Sequence, residues 1–107
     1  MRILNYTPHT VNIINENRII KSFESQGVAR VGTKQEVVGN VEGVEIVKTT
    51  YTEIEGLPEE KENVFYIVSM VVLNASDRKD LICPDTSPSS AIRNEKGQII
   101  GVKRFTV

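Results

Sequence analysis

A period-two alternation of apolar and polar residues marks the middle of this chain. It is clearest in KQEVVGNVEGVEIVKTTYTEIE, residues 34–55, where the alternating positions are Val44, Ile46, Thr50, Thr52 and Ile54. Successive side chains of a β-strand point to opposite faces of its sheet, so this spacing predicts one long strand. We predict a second strand before it, with the turn between the two around Gly39-Asn40 and Gly43.

Shorter segments with the same pattern predict further strands, each bounded by turn residues. These segments are RILNY, TVNII, RIIKSF, GVARV, LICP and QIIGVKRFTV. The polar NEN between TVNII and RIIKSF suits a hairpin connection, while Pro8, Gly32 and Pro84 predict strand ends. Gly97 suits the positive φ of a turn in NEKG, and Gly101 indicates a bulge or a close approach of two backbones.

One segment, VFYIVSMVVLNASDRKD, combines a strand pattern with a helix start. Val64–Val68 is typical of a buried strand, and Ser69 is a residue type that caps helix N-termini. We predict a helix of about two turns from there to Ala75. The β-branched Val71 and Val72 are also compatible with continuation of the strand.

These elements sum to about eight short strands and one short helix. They predict an α+β fold that is mainly β, either a strongly curved antiparallel sheet or a small barrel. The length of 107 residues predicts one domain, 1–107, and 39% hydrophobic with 25% charged residues is ordinary for a folded protein.

The single cysteine, Cys83, excludes an internal disulfide and a cysteine-built zinc site, which favours a reducing cytoplasm. The start MRILNYTPHTV lacks the apolar stretch of a signal peptide, and VFYIVSMVVL is too short to span a bilayer. We therefore expect a cytoplasmic protein with no membrane contact. One histidine and one cysteine do not make a metal site, and no glycine-rich phosphate-binding motif is present, so no metal or cofactor is predicted.

Charge is unevenly distributed, although the formal net charge is only −1 and gives no reason to expect DNA binding. Residues 53–77 carry one basic and six acidic side chains, whereas residues 78–107 carry six basic and three acidic. A locally positive region suits a small anionic ligand, and a solvated face of mixed charge gives the same pattern.

The stretch DLICPDTSPSSAIR, residues 80–93, together with Arg78 just before it and Arg104 on the predicted final strand, gathers the groups that can hold phosphate and ribose. Asp85 is the predicted acceptor, hydroxyls come from Thr86, Ser89 and Ser90, and the cations and neighbouring acid are Arg78, Arg93, Arg104 and Asp80. Two structural alternatives remain. Asp85 and the serines can satisfy the backbone of their own turn, and Arg78 with Asp80 can form an intramolecular ion pair.

His9, the only histidine, follows Pro8 in a strand-end turn. It suits a general base or hydrogen-bond donor near neutral pH, or simply a hydrogen bond to nearby backbone. Tyr51, Tyr66 and Phe105 suit stacking on a base, although their apolar neighbours favour core packing.

Four stretches in order along the chain resemble a group of small phage and prophage proteins. They are LNYTPHTVNI, VFYIVS, RKDLICPDT and GQIIGVKRF, which match an N-x-T-P-H-x-V start, a Y-I-V-S strand before a short helix, R-x-D-L with a P-D-T loop, and a G-x-I-x-G-V end. The resemblance spans nearly the whole chain and implies phage origin. Its pattern falls on Thr7, Pro8, His9, Ser69, Arg78, Asp80, Pro84, Asp85 and Thr86.

By analogy with small phage proteins, we expect a homo-oligomeric protein that sequesters a nucleotide-derived signal of host immunity, of cyclic nucleotide or ADP-ribose type. The predicted ligand-binding residues are Thr7, His9, Ser69, Arg78, Asp80, Asp85, Thr86, Ser89, Ser90, Arg93 and Arg104. One alternative is an enzyme that cleaves a nucleotide or RNA phosphodiester, with His9 as acid or base and Arg78 or Arg93 stabilising charge. Another is an inhibitor of a host protein that acts through protein contacts.

Overall fold

The computed structural model describes residues 1–107 as ten strands and one short helix. In chain order they are β1 (Arg2–Asn5), β2 (Val11–Asn15), β3 (Arg18–Phe23), β4 (Arg30–Val41), β5 (Val44–Glu55), β6 (Val64–Ile67), α1 (Met70–Asn74), β7 (Leu81–Pro84), β8 (Ala91–Arg93), β9 (Ile99–Val102) and β10 (Phe105–Thr106). The prediction of a mainly β fold with one short helix is confirmed.

The strands form two four-stranded sheets and one two-stranded ribbon. The first sheet has the order β1-β6-β7-β10, the second has the order β3-β2-β9-β8, and β4 pairs with β5 alone. Both larger sheets are mixed, because β1 with β6, β6 with β7, and β2 with β9 are parallel pairs. Parallel pairs join strands that are distant in sequence. Neither sheet closes into a barrel.

Two hydrophobic clusters share strand β6. In the first cluster Ile67 packs with Val11, Ile13, Ile82 and Val102. In the second cluster Tyr66 packs with Ala29, Val68, Val72 and Leu81. Tyr66 and Ile67 are both completely buried. They are neighbours in a strand and therefore point to opposite faces. The period-two pattern thus places one residue of β6 in each cluster, and the core prediction for Tyr66 is confirmed.

Helix α1 begins where the sequence predicts. The Oγ of Ser69 accepts a hydrogen bond from the backbone N of Val72 at 3.4 Å, and Ala75 ends the helix. Val72 is buried in the second cluster, whereas Met70 and Val71 are exposed. The helix forms the crossover between the parallel strands β6 and β7, which a tight turn cannot connect.

Both tight hairpins close through two residues at positive φ. Glu16 and Asn17 connect β2 to β3, with φ of 50° and 64°, and Glu42 and Gly43 connect β4 to β5, with φ of 51° and 81°. Positive φ at both loop positions matches the right-handed twist of the flanking strands. The hairpin prediction for NEN is confirmed, and the second turn lies at Glu42-Gly43.

The strand ends differ from the sequence prediction in three places. Gly39-Asn40 lies inside β4, next to a bulge, and Gly32 also lies within β4 instead of ending a strand. The closing segment divides into β9 and β10, with Lys103 and Arg104 between the two strands. β8 is a short additional strand that pairs with β9.

The ribbon of β4 and β5, here called the arm, projects from the body of the fold. Its residues, 30–55, are almost all exposed, and only Val31 and Ile54 pack against the second cluster. The molecule measures 50 × 38 × 19 Å, and its radius of gyration is 16.5 Å. A compact chain of this length has a radius of gyration of about 13 Å. The arm accounts for the elongated shape.

Candidate functional site

The loop after β7 is held to the segment before β10 by an ion pair. The Nε of Arg104 donates to Asp85 Oδ2 at 2.7 Å, and its Nη2 donates to Ser89 Oγ at 2.6 Å. The backbone N of Asp85 donates to the carbonyl of Arg104 at 2.9 Å, and the backbone N of Ser87 donates to Asp85 Oδ1 at 3.0 Å. Three of the predicted ligand-binding residues, Asp85, Ser89 and Arg104, therefore lie in direct contact.

These contacts keep the Asp85 carboxylate charged. Hydrogen bonds from Ser87, followed by the contact with Arg104, lower the pKa of Asp85 below its ordinary value. Both carboxylate oxygens are occupied within the loop, so the predicted Asx-turn role occurs together with an ion pair. The Arg104 side chain is 55% exposed and the Asp85 side chain 16%. The cation is therefore the more accessible partner.

Ser90 anchors the base of the loop. It is completely buried, and the backbone N of Lys103 donates to its Oγ at 3.1 Å and to its carbonyl at 3.0 Å. Its backbone N donates to the carbonyl of Ser87 at 3.0 Å. The hydroxyl of Ser90 is thus used by the fold, whereas Thr86 and Ser89 are exposed.

A small cleft adjoins this loop. Its volume is about 120 Å³, and its walls come from the start of β2, from Pro84 and Thr86, and from β9. Thr10, the neighbour of His9, and Thr86, the neighbour of Asp85, both line the cleft. The fold thus brings the His9 turn close to the Asp85 loop. Liquid water occupies about 30 Å³ per molecule, so the cleft holds about four waters, or one phosphate-sized or ribose-sized group.

Gly101 forms one wall of the cleft where two backbones approach closely. A Cβ at this position would lie 2.5 Å from Ile14 Cδ1 and 2.9 Å from the carbonyl oxygen of Asn12. Side-chain atoms do not fit at such distances, so only glycine allows β9 to lie this close to β2. The predicted close approach at Gly101 is confirmed.

We call the accessible part of this region the loop site: Asp85, Thr86, Ser89, Arg104 and the adjoining cleft. Asp85, Thr86 and Ser89 come from the loop after β7, and Arg104 comes from the segment before β10. With Lys103 exposed beside it, the region carries two basic side chains and one acidic side chain. Its local charge is positive.

The turn at residues 6–9 is organised by Asn5, which sequence reasoning missed. Asn5 is buried, and its Nδ2 donates to the carbonyls of His9 at 2.7 Å and Phe23 at 2.8 Å. Its Oδ1 accepts from the backbone N of Thr7 at 2.9 Å and from Thr7 Oγ1 at 2.7 Å. Thr7 Oγ1 also lies 3.0 Å from the carbonyl of His9. The signal that could have found Asn5 is a polar residue at an inward position of an alternating strand.

The side chain of His9 has a different role from its backbone. Its carbonyl closes the turn, whereas the residue itself is exposed and its imidazole has no hydrogen-bond or ion-pair partner in the chain. A general base needs an orienting partner or a bound substrate to fix the ring. The fold supplies no such partner to His9.

A second polar cluster surrounds Arg78. Its Nε and Nη2 donate to the two carboxylate oxygens of Asp80 at 2.9 and 2.6 Å, and its Nη1 donates to the carbonyl of Pro58 at 2.8 Å. Glu60 Oε1 lies 3.7 Å from the Nε of Arg78. The guanidinium carbon of Arg78 lies 5.7 Å from the centre of the Tyr66 ring. The Asp80 hydrogen bonds raise the pKa of Arg78. The predicted ion pair is present, and it ties the acidic connector to β7.

Arg78 also borders an open cleft of about 500 Å³, beside Lys79 and the exposed end of α1. The remaining predicted residues lie elsewhere. Ser69 caps α1, and Arg93 donates to the carbonyl of Gly97 at 2.6 Å within the 94–97 turn. The eleven predicted residues therefore occupy several places, of which only the Asp85 loop and the His9 turn adjoin one cleft.

Cys83 is free and buried, and burial raises the pKa of its thiol. No three histidine, cysteine, aspartate or glutamate side chains lie close enough to hold a metal ion together. The helix α1 lacks the length and the apolar character required to cross a membrane.

Comparisons of the chain with protein-family models, with curated proteins and with solved structures give no match.

Proposed function

We propose that this chain binds a small anionic, nucleotide-derived ligand at the loop site and retains it unaltered. The observation that supports this proposal is the state of Arg104. Its side chain is 55% exposed, while Asp85 and Ser89 occupy two of its donors. A guanidinium has five N–H donors, so three remain for a ligand. An arginine held in place before binding loses little side-chain entropy on binding, which favours affinity.

The surrounding groups suit phosphate. Thr86 provides an exposed hydroxyl in the wall of the cleft, and the positive charges of Lys103 and Arg104 together outweigh the one negative charge of Asp85. Charge-assisted hydrogen bonds from arginine to phosphate are about twice as strong as neutral ones. We place a phosphate on Arg104 and Thr86.

The size of the cleft limits what enters it. Whole small-molecule sites usually measure about 300–1,000 Å³, well above the 120 Å³ of this cleft. We therefore place one ribose-sized group in the cleft, with the remainder of the ligand across the exposed loop. His9 precedes Thr10 of the cleft wall, so we place its exposed side chain at the edge of the ligand, in a binding role without an acid–base role.

The resemblance to phage and prophage proteins supports the biological part of the proposal. In this reading the chain acts in the cytoplasm of an infected host and sequesters a cyclic nucleotide or an ADP-ribose derivative that signals in immunity. A protein that only sequesters its ligand requires no cofactor and no catalytic group.

A thermal-shift screen against cyclic dinucleotides, cyclic trinucleotides and ADP-ribose derivatives tests the proposal. A ligand at about one hundred times its dissociation constant adds about 2.7 kcal/mol of stability, which raises the Tm of a domain this size by about 10 °C. Chromatography of the ligand recovered after denaturation then shows its chemical state. Recovery of the intact ligand supports the proposal, and a cleaved ligand would instead indicate the phosphodiesterase alternative.

Arg104→Gln tests the site itself, with Lys96→Gln on the exposed 94–97 turn as the matched control. Loss of a charged hydrogen bond costs about 1.5–3 kcal/mol, so we expect about a 10-fold to 100-fold weaker affinity for Arg104→Gln. Lys96→Gln should bind as the parent chain does. Each Tm shift is measured against the same variant without ligand, which removes any effect on folding alone. Absence of a shift with every ligand would favour the inhibitor acting through protein contacts.

A further inference from the structure

The arm is a two-stranded ribbon with no other strand beside it, and it exposes many large apolar side chains. Its large apolar residues, each at least 42% exposed, are Val37, Val38, Val41, Val44, Ile46, Val47 and Tyr51. An isolated two-stranded ribbon is only marginally stable in water, and contiguous exposed apolar surface marks an interaction site. The arm therefore has the properties of a segment that is covered by a partner.

The outer edge of β4 is open to pairing. β4 pairs only with β5, so the backbone groups that point away from β5 have no strand partner. The register with β5 runs without interruption from Thr33 to Val37, between two bulges. An unpaired, regular edge is a template for another strand. This five-residue stretch is the part of β4 best suited to extend the sheet.

The charges on this edge identify the partner. We propose that a second copy of this chain pairs with it antiparallel through β4, about a twofold axis at Gln35. In that register Lys34 lies opposite the partner's Glu36, and Glu36 lies opposite the partner's Lys34. Glu36 already faces Lys48 across the arm. The face thus carries an alternating row of Lys48, Glu36 and the partner's Lys34.

The same charges oppose the neighbouring registers. A shift to the next register that a twofold axis allows would place Lys34 opposite the partner's Lys34, and the shift in the other direction would place Glu36 opposite the partner's Glu36. Like charges directly opposite each other in a sheet are destabilising. The order Lys-Gln-Glu is complementary to itself only in the register centred on Gln35. This self-complementarity favours a second copy over an unrelated protein.

The area of the edge shows what else the dimer requires. If all twelve residues of β4 lie along the partner at about 3.4 Å each, the edge is roughly 40 Å long, and a sheet about 10 Å thick then buries at most roughly 400 Å² per chain. A stable interface buries roughly 800 Å² per chain. The edge supplies at most half of this area. The apolar tip of the arm, formed by Val41 and Val44, must therefore supply much of the rest.

The proposed register brings the tip to an apolar surface. The antiparallel direction of the pairing brings Val41 of one arm toward the base of the partner's arm. In each chain α1 contacts β4, and its Met70 and Val71 are 45% and 43% exposed. The tip of one arm and the α1 helix of the other chain are thus both apolar and both uncovered. Their contact completes the interface twice, once on each side of the twofold axis.

Disulfide cross-linking of Gln35→Cys tests the register. Residues directly opposite in antiparallel strands have Cα atoms about 4.5–5.5 Å apart, within the range that a disulfide spans. We expect oxidised Gln35→Cys to give a covalent dimer. Thr50→Cys, on the far strand of the arm, is the control and should remain monomeric in a denaturing gel, as should the parent chain with its buried Cys83. Failure of Gln35→Cys to cross-link, or equal cross-linking of Thr50→Cys, would overturn the proposal.

Charge reversal tests the pairing without a covalent bond. The parent chain should sediment at twice the 12.0 kDa of one chain. Lys34→Glu places two glutamates opposite each other at both symmetric positions, and Glu36→Lys does the same with two lysines. For each variant we expect the dimer dissociation constant to rise about 30-fold, which corresponds to about 2 kcal/mol.

A mixture of Lys34→Glu with Glu36→Lys provides the decisive comparison, because both opposite pairs are attractive again in the mixed dimer. We expect the mixture to recover the affinity of the parent chain, with Lys96→Glu on the 94–97 turn as a neutral control. A parent chain that sediments as a monomer, or a mixture no tighter than its components, would overturn the proposal. None of these experiments requires a ligand, so the dimer and the loop site fail or succeed separately.

Discussion

Replacement of Asn5 by alanine would remove four hydrogen bonds at the start of the fold. Asn5 is 1% exposed, and its amide joins the His9 turn to the carbonyl of Phe23 at the end of β3. The truncation removes the side-chain partner of the Phe23 carbonyl and of the backbone N of Thr7, and it leaves the His9 carbonyl with Thr7 Oγ1 alone. Thr7 and His9 lie near solvent and can bind water, whereas Phe23 packs against the first cluster.

The expected loss follows from these three groups. Each net hydrogen bond contributes about 1 kcal/mol, and a partner left unsatisfied in the interior costs about 1–3 kcal/mol. With two groups rescued by water and one not, we expect Asn5→Ala to lose about 3 kcal/mol of unfolding free energy. This corresponds to a Tm about 12 °C lower in a domain of about 100 residues.

Urea unfolding at one fixed protein concentration, followed by far-ultraviolet circular dichroism, measures this loss. Asn12→Ala is the matched control. Asn12 donates to the carbonyl of Ile100 at 3.3 Å and accepts from Ser22 at 2.7 Å, but both contacts are solvent-exposed. We expect Asn12→Ala to cost less than about 1 kcal/mol. If both variants lost the same free energy at an unchanged m-value, the assignment of Asn5 as the organiser of the turn would be refuted.

Two further predictions concern the loop site. The folded-state pKa of Asp85 lies below its unfolded value, so its stabilising contribution is present above the unfolded pKa and is lost as pH falls through the folded pKa. A Tm series below about pH 4 should therefore fall less steeply for Asp85→Asn than for the parent chain, and parallel profiles would contradict the hydrogen bonds that Ser87 and Arg104 donate to this carboxylate. Gly101→Ala should cost about 1–3 kcal/mol in urea unfolding, because its Cβ would meet Ile14 and the carbonyl of Asn12; an unaffected midpoint would contradict the close approach of β9 to β2.

Local sequence signals predicted most of the elements. The Ser69 cap, the short α1, the Glu16-Asn17 hairpin and the close approach at Gly101 all depend on residues a few positions apart or on glycine itself. The turn of the arm was placed less well, because Gly39 and Gly43 are equally good turn residues. Pairing of Val41 with Val44 selected Glu42-Gly43 and extended β4 by several residues.

Long-range pairing was beyond the same signals. The parallel pairs of β1 with β6 and of β2 with β9 join segments about sixty to ninety residues apart, as the registers Arg2 with Val64 and Ile13 with Val102 show. The alternation pattern is the same for parallel and antiparallel neighbours in a sheet with one exposed face. The choice between them requires the positions of all other strands.

The sequence by itself determined that the chain is mainly β, where its helix begins, and which loop carries a concentration of hydroxyls and charge. These properties follow from side-chain periodicity and from the conformational limits of proline, glycine and serine caps. Only the tertiary structure decided which polar side chains meet. It joined Arg104 to Asp85 and turned the amide of Asn5 toward the carbonyl of Phe23, because contacts between residues distant in sequence depend on the packing of the whole chain.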